Sequence, residues 1–118
     1  MRAANTMKQD SQNKPVTLTE SHKQAVSLVG HLFAMHDQVP KARVIFEALR
    51  IVFPDDPQII KRLGYVYLIA GAFRQAADLI DETSNRVKDG PESEALRWIR
   101  NKARQSLERE TRLAQEKT

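Results

Sequence analysis

Apolar positions along the chain recur at helical spacing, and no segment shows the strict alternation of a half-buried strand. Between Thr19 and Met35, Ala25, Val26, Val29, Leu32 and Phe33 fall three and four residues apart and predict an amphipathic helix with these side chains inward. Thr17 and Glu20 have the spacing of a capping box, and Thr19 is a second candidate cap. The pattern breaks at His36-Asp37-Gln38-Val39. Pro40 then suits the first turn of a second helix, where a missing amide hydrogen costs nothing. That helix is predicted to reach about Phe53, burying Ala42, Ile45, Phe46 and Leu49, and Pro54-Asp55-Asp56-Pro57 stops it. A third helix is expected from Pro57 to Ala70 with Ile60, Leu63, Gly64 and Tyr67 inward and Gly71 at its left-handed terminus. A fourth, Phe73 to about Val87, buries Phe73, Ala76, Ala77 and Ile80 and ends before Asp89-Gly90-Pro91. The fifth begins near Glu92, carries Ala95, Leu96, Trp98 and Ile99, and loses apolar support beyond Leu107.

The first four helices form two similar units. At an offset of 34 residues, Val26 falls on Ile60, Val29 on Leu63, Gly30 on Gly64, Phe33 on Tyr67, Ala42 on Ala76 and Phe46 on Ile80. Glycine inside a helix costs about 1 kcal/mol relative to alanine. Gly30 and Gly64 are therefore expected where another helix approaches closely, with Ala42 and Ala76 as the complementary small surfaces.

A 34-residue helix–turn–helix of this kind resembles the tetratricopeptide repeat (TPR). Leu63-Gly64, Tyr67, Gly71, Phe73, Ala76 and Ile80 carry the resemblance in the second unit, and Gly30, Phe33, Ala42, Phe46 and Pro54 in the first. Val26 and Ile60 stand where the pattern prefers tryptophan, Leu49 and Thr83 replace a small alanine, and Asp37 replaces the glycine between helices. The resemblance covers residues 23–90 and implies an all-α fold: two TPR-like repeats, about 23–56 and 57–90, with a capping helix at about 92–107, wound as an α–α superhelix. The whole domain is read as 17–105. A polar N-terminal tail, 1–16, is expected to be disordered, and 108–118 is expected to be a polar helical or frayed tail. Two repeats are fewer than the three or so that usually stand alone, so Leu96, Trp98 and Ile99 are expected to anchor the cap.

Composition narrows the function. The 118 residues contain no cysteine, which removes disulfides, thiolate metal sites and cysteine nucleophiles. Met1 to Lys14 holds no apolar run, and no stretch is long enough to span a membrane. The reading is a cytoplasmic protein with no membrane insertion. The net charge of +4 is local: residues 1–20 carry +1, residues 21–96 carry −1 and residues 97–118 carry +4. A basic segment can bind nucleic acid. Here the arginines from Arg97 to Arg112 are interleaved with Glu108 and Glu110, and no aromatic follows Trp98 to stack on bases. His31 and His36 are five apart, off one helix face, and Asp78, Asp81 and Glu82 are expected on a solvent-facing helix. Asp55-Asp56 reads as turn chemistry. With no phosphate loop and no nucleophile–base pair, neither an enzyme nor a cofactor is expected.

The resemblance also implies a concave face lined by the first helix of each repeat. Ser27, His31, Ala34 and Met35 would line it from the first unit, and Lys61, Tyr65, Leu68 and Ile69 from the second. Ala34, Met35, Tyr65, Leu68 and Ile69 form an apolar strip suited to an amphipathic helix. The alternative is that the chain's own tail or cap covers the strip. A carboxylate clamp of the kind chaperone adaptors use is not indicated, because Lys61 alone is basic among these positions and no asparagine lies there. Small, cysteine-free TPR proteins with a helical cap are similar to the chaperones of bacterial type III secretion, and the run Ala42-Arg43-Val44-Ile45-Phe46-Glu47-Ala48-Leu49-Arg50-Ile51-Val52-Phe53-Pro54-Asp55-Asp56 is especially like theirs. That resemblance implies shielding of an amphipathic helix of a needle subunit or early export substrate, with a co-chaperone or homodimer possible. A generic TPR adaptor for a folded partner is the competing reading, and nucleic-acid binding by the basic C-terminal helix is a further one.

Overall fold

A computed structural model describes residues 19–86 and 90–117, and helices account for most of them. There are five: α1 (Glu20–Met35), α2 (Val39–Val52), α3 (Pro57–Ile69), α4 (Phe73–Thr83) and α5 (Ser93–Glu116), with no strand among the described residues. The tail expected over 1–16, the Thr17 cap and the predicted end of the fourth helix at Val87 lie outside the described residues. Thr19 caps α1 instead: its side chain accepts from the His22 amide at 3.3 Å, and the Thr19 amide donates to His22 Nδ1 at 3.4 Å. Asp56 caps α3, accepting from the amides of Gln58 at 2.9 Å and Ile59 at 3.4 Å. Pro40 and Pro57 sit in first turns. α4 is shorter than its apolar spacing suggests, because the chain turns at Ser84–Arg86.

The backbone keeps the 34-residue repeat. α1 and α3 end at Met35 and Ile69, and α2 and α4 begin at Val39 and Phe73. Between them, Asp37 and Gly71 both take positive φ, 62° and 76°. A residue with a Cβ is strained there by about 1–2 kcal/mol, less for aspartate. Nothing lies within 4 Å of a Cβ built on Gly71, so Gly71→Ala tests the backbone alone and should cost about 1 kcal/mol. Asp37→Gly should instead give a gain below about 1 kcal/mol, reduced by the added freedom of the unfolded chain. Urea unfolding of the two variants should give shifts of opposite sign.

Packing is mostly between chain neighbours: α1 on α2, α2 on α3, α3 on α4 and α4 on α5. α3 also packs on α5 and touches α1. Phe46, Leu49, Ile59, Ile60, Leu63, Leu79 and Ile99 are fully buried. Thr83 is buried as well, and its hydroxyl donates to the carbonyls of Leu79 and Ile80 at 2.8 and 3.3 Å. α5 is held through Leu96, Ile99 and Ala103 and continues without a break to Glu116.

Three expectations are corrected. Ala25, Val29 and Leu32 of α1 are exposed, because no helix among the described residues covers them; Val26 and Phe33 carry its contact with the core. The glycines do not have alanine as nearest neighbour. A Cβ on Gly30 would lie 2.7 Å from the Phe46 ring, and one on Gly64 would lie 3.0 Å from Ile99 Cγ2. Trp98 is half exposed and tilts against Tyr65 instead of anchoring the cap. Asp78, Asp81 and Glu82 are exposed, as expected, and two of them also join helices: Asp81 pairs with Arg100 at 3.2 Å and Arg104 at 3.0 Å of α5, and Glu82 with Arg50 of α2 at 3.0 Å.

Candidate functional site

α1 and α3 diverge over a hollow of about 430 Å³. Its apolar lining is Ala34 and Met35 from α1, Phe46 from α2, and Tyr65, Val66 and Ile69 from α3; His31, Lys61 and Arg62 are its polar members, and no acidic side chain among the described residues lines it. His31, Ala34, Met35, Lys61, Tyr65 and Ile69 are thus brought together. Ser27 lies in an adjoining, more polar hollow of about 510 Å³, with Lys23, Gln24 and Gln58, which shares His31 and Arg62 with the first. Leu68 lines neither hollow: it is half-buried against the core.

Phe46, Arg62 and Val66 also line the hollow, outside the strip predicted from the sequence. Arg62 was legible in principle, since Arg62, Tyr65 and Ile69 stand three and four apart and share a helix face. Phe46 and Val66 were not. They are core residues by pattern, nearly fully buried, and only the placing of α1, α2 and α3 brings them to the floor of the hollow.

α5 borders the hollow on the α3 side. Lys61 Nζ pairs with Glu92 Oε2 at 2.6 Å, just before α5 begins, and the Tyr65 and Trp98 rings stand 5.9 Å apart at 46°. The α3 side of the groove is therefore fixed by contacts, while Met35, Tyr65 and Ile69 remain exposed.

The base of the groove is tied by charge. Lys23 of α1 bonds Asp56 at the start of α3, also pairs with Glu20 at 2.7 Å, and lies 5.3 Å from the Phe53 ring centroid. Burial pushes the Asp56 carboxyl up, but the Lys23 ammonium and the amides of Ile59 and Gln58 outweigh it and hold the group below its ordinary value. Asp56 and Glu20 hold the Lys23 ammonium above its ordinary value, against its desolvation. A carboxyl lowered on folding stabilises the fold above its unfolded pKa, about 3.9, and that contribution is lost as pH falls through the folded value. Asp56→Asn, which keeps a capping oxygen, should be less stable than wild type at pH 7. The difference in urea midpoint should shrink at pH 3.

On the other side of the α2–α3 contact, the Tyr67 hydroxyl donates to Glu47 Oε2 at 2.7 Å, and Arg43 Nε donates to the same oxygen at 3.1 Å. Burial and the Glu47 carboxylate push the Tyr67 phenol up to about 12. Tyr67 is thereby a neutral donor fixing α2 to α3. Among the described residues no three His, Asp or Glu side chains are grouped so as to hold a metal ion, and no helix is long and apolar enough to cross a membrane. Comparison of the chain with protein-family models, with curated proteins and with solved structures gave no match.

Proposed function

We propose that the chain is a protein-binding helical-repeat molecule that takes an amphipathic helix of its partner into the hollow between α1 and α3. The observation that carries this reading is the apolar strip Ala34, Met35, Tyr65 and Ile69, set around the hollow. The arrangement of the hairpins is read as a short TPR-like superhelix with α1 and α3 on its concave side and α5 as the cap. Burial of apolar surface at about 25 cal/mol per Å² would supply the affinity, less the cost of ordering both partners. Lys61 is already paired with Glu92, so Arg62 is the cation that would favour an occupant with an acidic residue beside its apolar stripe. The resemblance to small type III secretion chaperones names the candidate occupant, a helix of a needle subunit or early export substrate. A generic adaptor differs in taking a folded partner.

The test is a titration with a synthetic amphipathic peptide of about five helical turns, leucine-faced and flanked by glutamate. Ile69→Glu should weaken binding at least about tenfold, the loss of more than 1.4 kcal/mol, with circular dichroism unchanged because Ile69 is exposed. Equal affinity of wild type and variant would remove the groove from the proposal. Tyr65→Glu should act alike. Leu68→Glu is unsuited, since the charge would strike the core. Identification of a co-purifying host protein separates the two partner classes: a small protein with an amphipathic terminal helix supports the chaperone reading, and a folded domain the adaptor. Nucleic-acid binding loses ground because Arg100 and Arg104 are engaged by Asp81.

A further inference from the structure

The two hollows between α1 and α3 form one trough with unlike ends. The apolar hollow is lined from the C-terminal halves of both helices, by Met35 on one side and by Tyr65 and Ile69 on the other. The polar hollow is lined from their N-terminal halves, by Gln24 and Ser27 on one side and by Gln58 on the other. α1 and α3 therefore run the same way along the trough. His31 and Arg62 line both hollows and mark the level at which its character changes. Charge is spread as unevenly. At the polar end Lys23 bonds Asp56 and pairs with Glu20 at 2.7 Å, so two carboxylates share one ammonium. Lys61 is held by Glu92 at 2.6 Å. Arg62 is half-buried and has no ion pair or side-chain hydrogen bond among the described residues.

We propose that the trough selects its partner helix by the place of a single carboxylate. An apolar stripe of about two turns lies over Met35, Tyr65 and Ile69, and an aspartate or glutamate about one turn beyond it meets Arg62. The proposal rests on the reading of the apolar hollow as a helix groove and adds where along the partner its charge must fall. Arg62 precedes Ile69 by seven residues of α3, about 10 Å along the helix, which sets the length of the stripe. A carboxylate placed within the stripe would lose water among Met35, Tyr65 and Ile69 with no free cation to replace it. One placed towards the polar end would meet Glu20 and Asp56, which together outweigh Lys23. Only at the level of Arg62 does the trough leave a charge to be matched. A run of acidic residues is disfavoured on the same grounds. Beyond Arg62, Gln24, Ser27 and Gln58 can both donate and accept hydrogen bonds, so the partner's next turn is polar and uncharged.

Three labelled peptides of about five helical turns test it, read by fluorescence anisotropy against the full chain. All share one leucine stripe. The first carries a glutamate one turn before the stripe, the second a glutamate one turn after it, and the third glutamine at both places. One glutamate peptide should bind about three- to tenfold more tightly than the glutamine peptide, and which one does so shows the direction in which the partner lies. Arg62→Gln should remove that preference and leave the glutamine peptide's affinity as it was. Arg62→Glu should reverse the preference, with helical content unchanged by circular dichroism. Ile69→Glu should weaken all three peptides alike, since it acts on the stripe and not on the charge. Equal affinities of the three peptides, or a preference that survives Arg62→Gln, overturn the inference alone when Ile69→Glu still weakens binding. Absence of binding by all three overturns the groove and this inference together. Self-association of the chain that Arg62→Glu abolishes also overturns it, by assigning the trough to a second copy.

Discussion

Gly64→Leu is expected to cost about 3 kcal/mol and to lower Tm by roughly 12–24 °C. The cause is local. A Cβ at Gly64 already meets Ile99 Cγ2 at 3.0 Å and Ile99 Cδ1 at 3.2 Å, with Ile80 Cδ1 at 3.8 Å. All three atoms belong to buried side chains that have no open space to enter. The branched end of a leucine would drive α3 away from α5, and Leu96, Ile99 and Ala103 would lose their seat together. Gly64→Ala separates crowding from backbone effects. Its Cβ needs a shift of a few tenths of an ångström, while helix propensity returns about 1 kcal/mol, so the net change should lie within about 1 kcal/mol of zero. Thermal unfolding followed by circular dichroism measures both. An unchanged Tm for Gly64→Leu would mean that α5 is not seated on this glycine.

Gly30 and Phe46 should show the strongest coupling in the molecule. Phe46→Ala removes a fully buried ring and should cost about 3–5 kcal/mol. Gly30→Ala alone places a methyl 2.7 and 2.9 Å from the Phe46 ring and 3.0 Å from Ile45 Cγ2, and should destabilise by about 1–2 kcal/mol despite the gain in helix propensity. Without the ring the sign should reverse. In a Phe46→Ala background, Gly30→Ala should stabilise by up to about 1 kcal/mol. The double-mutant cycle would then give a coupling of about 1–3 kcal/mol. Phe46→Leu is the milder member of the series, useful because the larger loss is a substantial part of a small domain's stability. Additive effects would show that the ring turns away at no cost and that Gly30 is not required by it. Phe46 also lines the groove, so peptide affinity should follow this series while Gly71→Ala leaves it unchanged.

Much of the fold was legible because it is local. The breaks at Asp37, Gly71 and the Pro54–Pro57 turn, the starts at Pro40 and Pro57, and the inward residues Phe46, Leu49, Ile60, Leu63 and Ile80 follow from backbone chemistry and spacing. Asp37 shows how far this extends: it stands where the repeat has glycine, and the backbone takes the glycine conformation at 62° regardless. The groove was legible in part, through His31, Met35, Tyr65 and Ile69, because residues three and four apart share a face. Leu68 was misplaced because it borders both faces of α3. The closeness of Trp98 to Tyr65 depends on the roll of α5 about its axis, which the segment's own periodicity leaves open.

By itself the sequence determined five helices, the breaks between the first four, and a register of 34 residues, since each depends on interactions within a few turns of the chain. Only the tertiary structure decided that Ala25, Val29 and Leu32 stay in solvent while Ile59, Leu63 and Val66 do not. The two sets have like patterns, but burial is conferred by a neighbouring helix, and no helix among the described residues covers that face of α1. The tertiary structure also decided that Gly64 receives Ile99 and that α1 and α3 part far enough to leave a hollow, because close approach and divergence belong to pairs of helices, not to either alone.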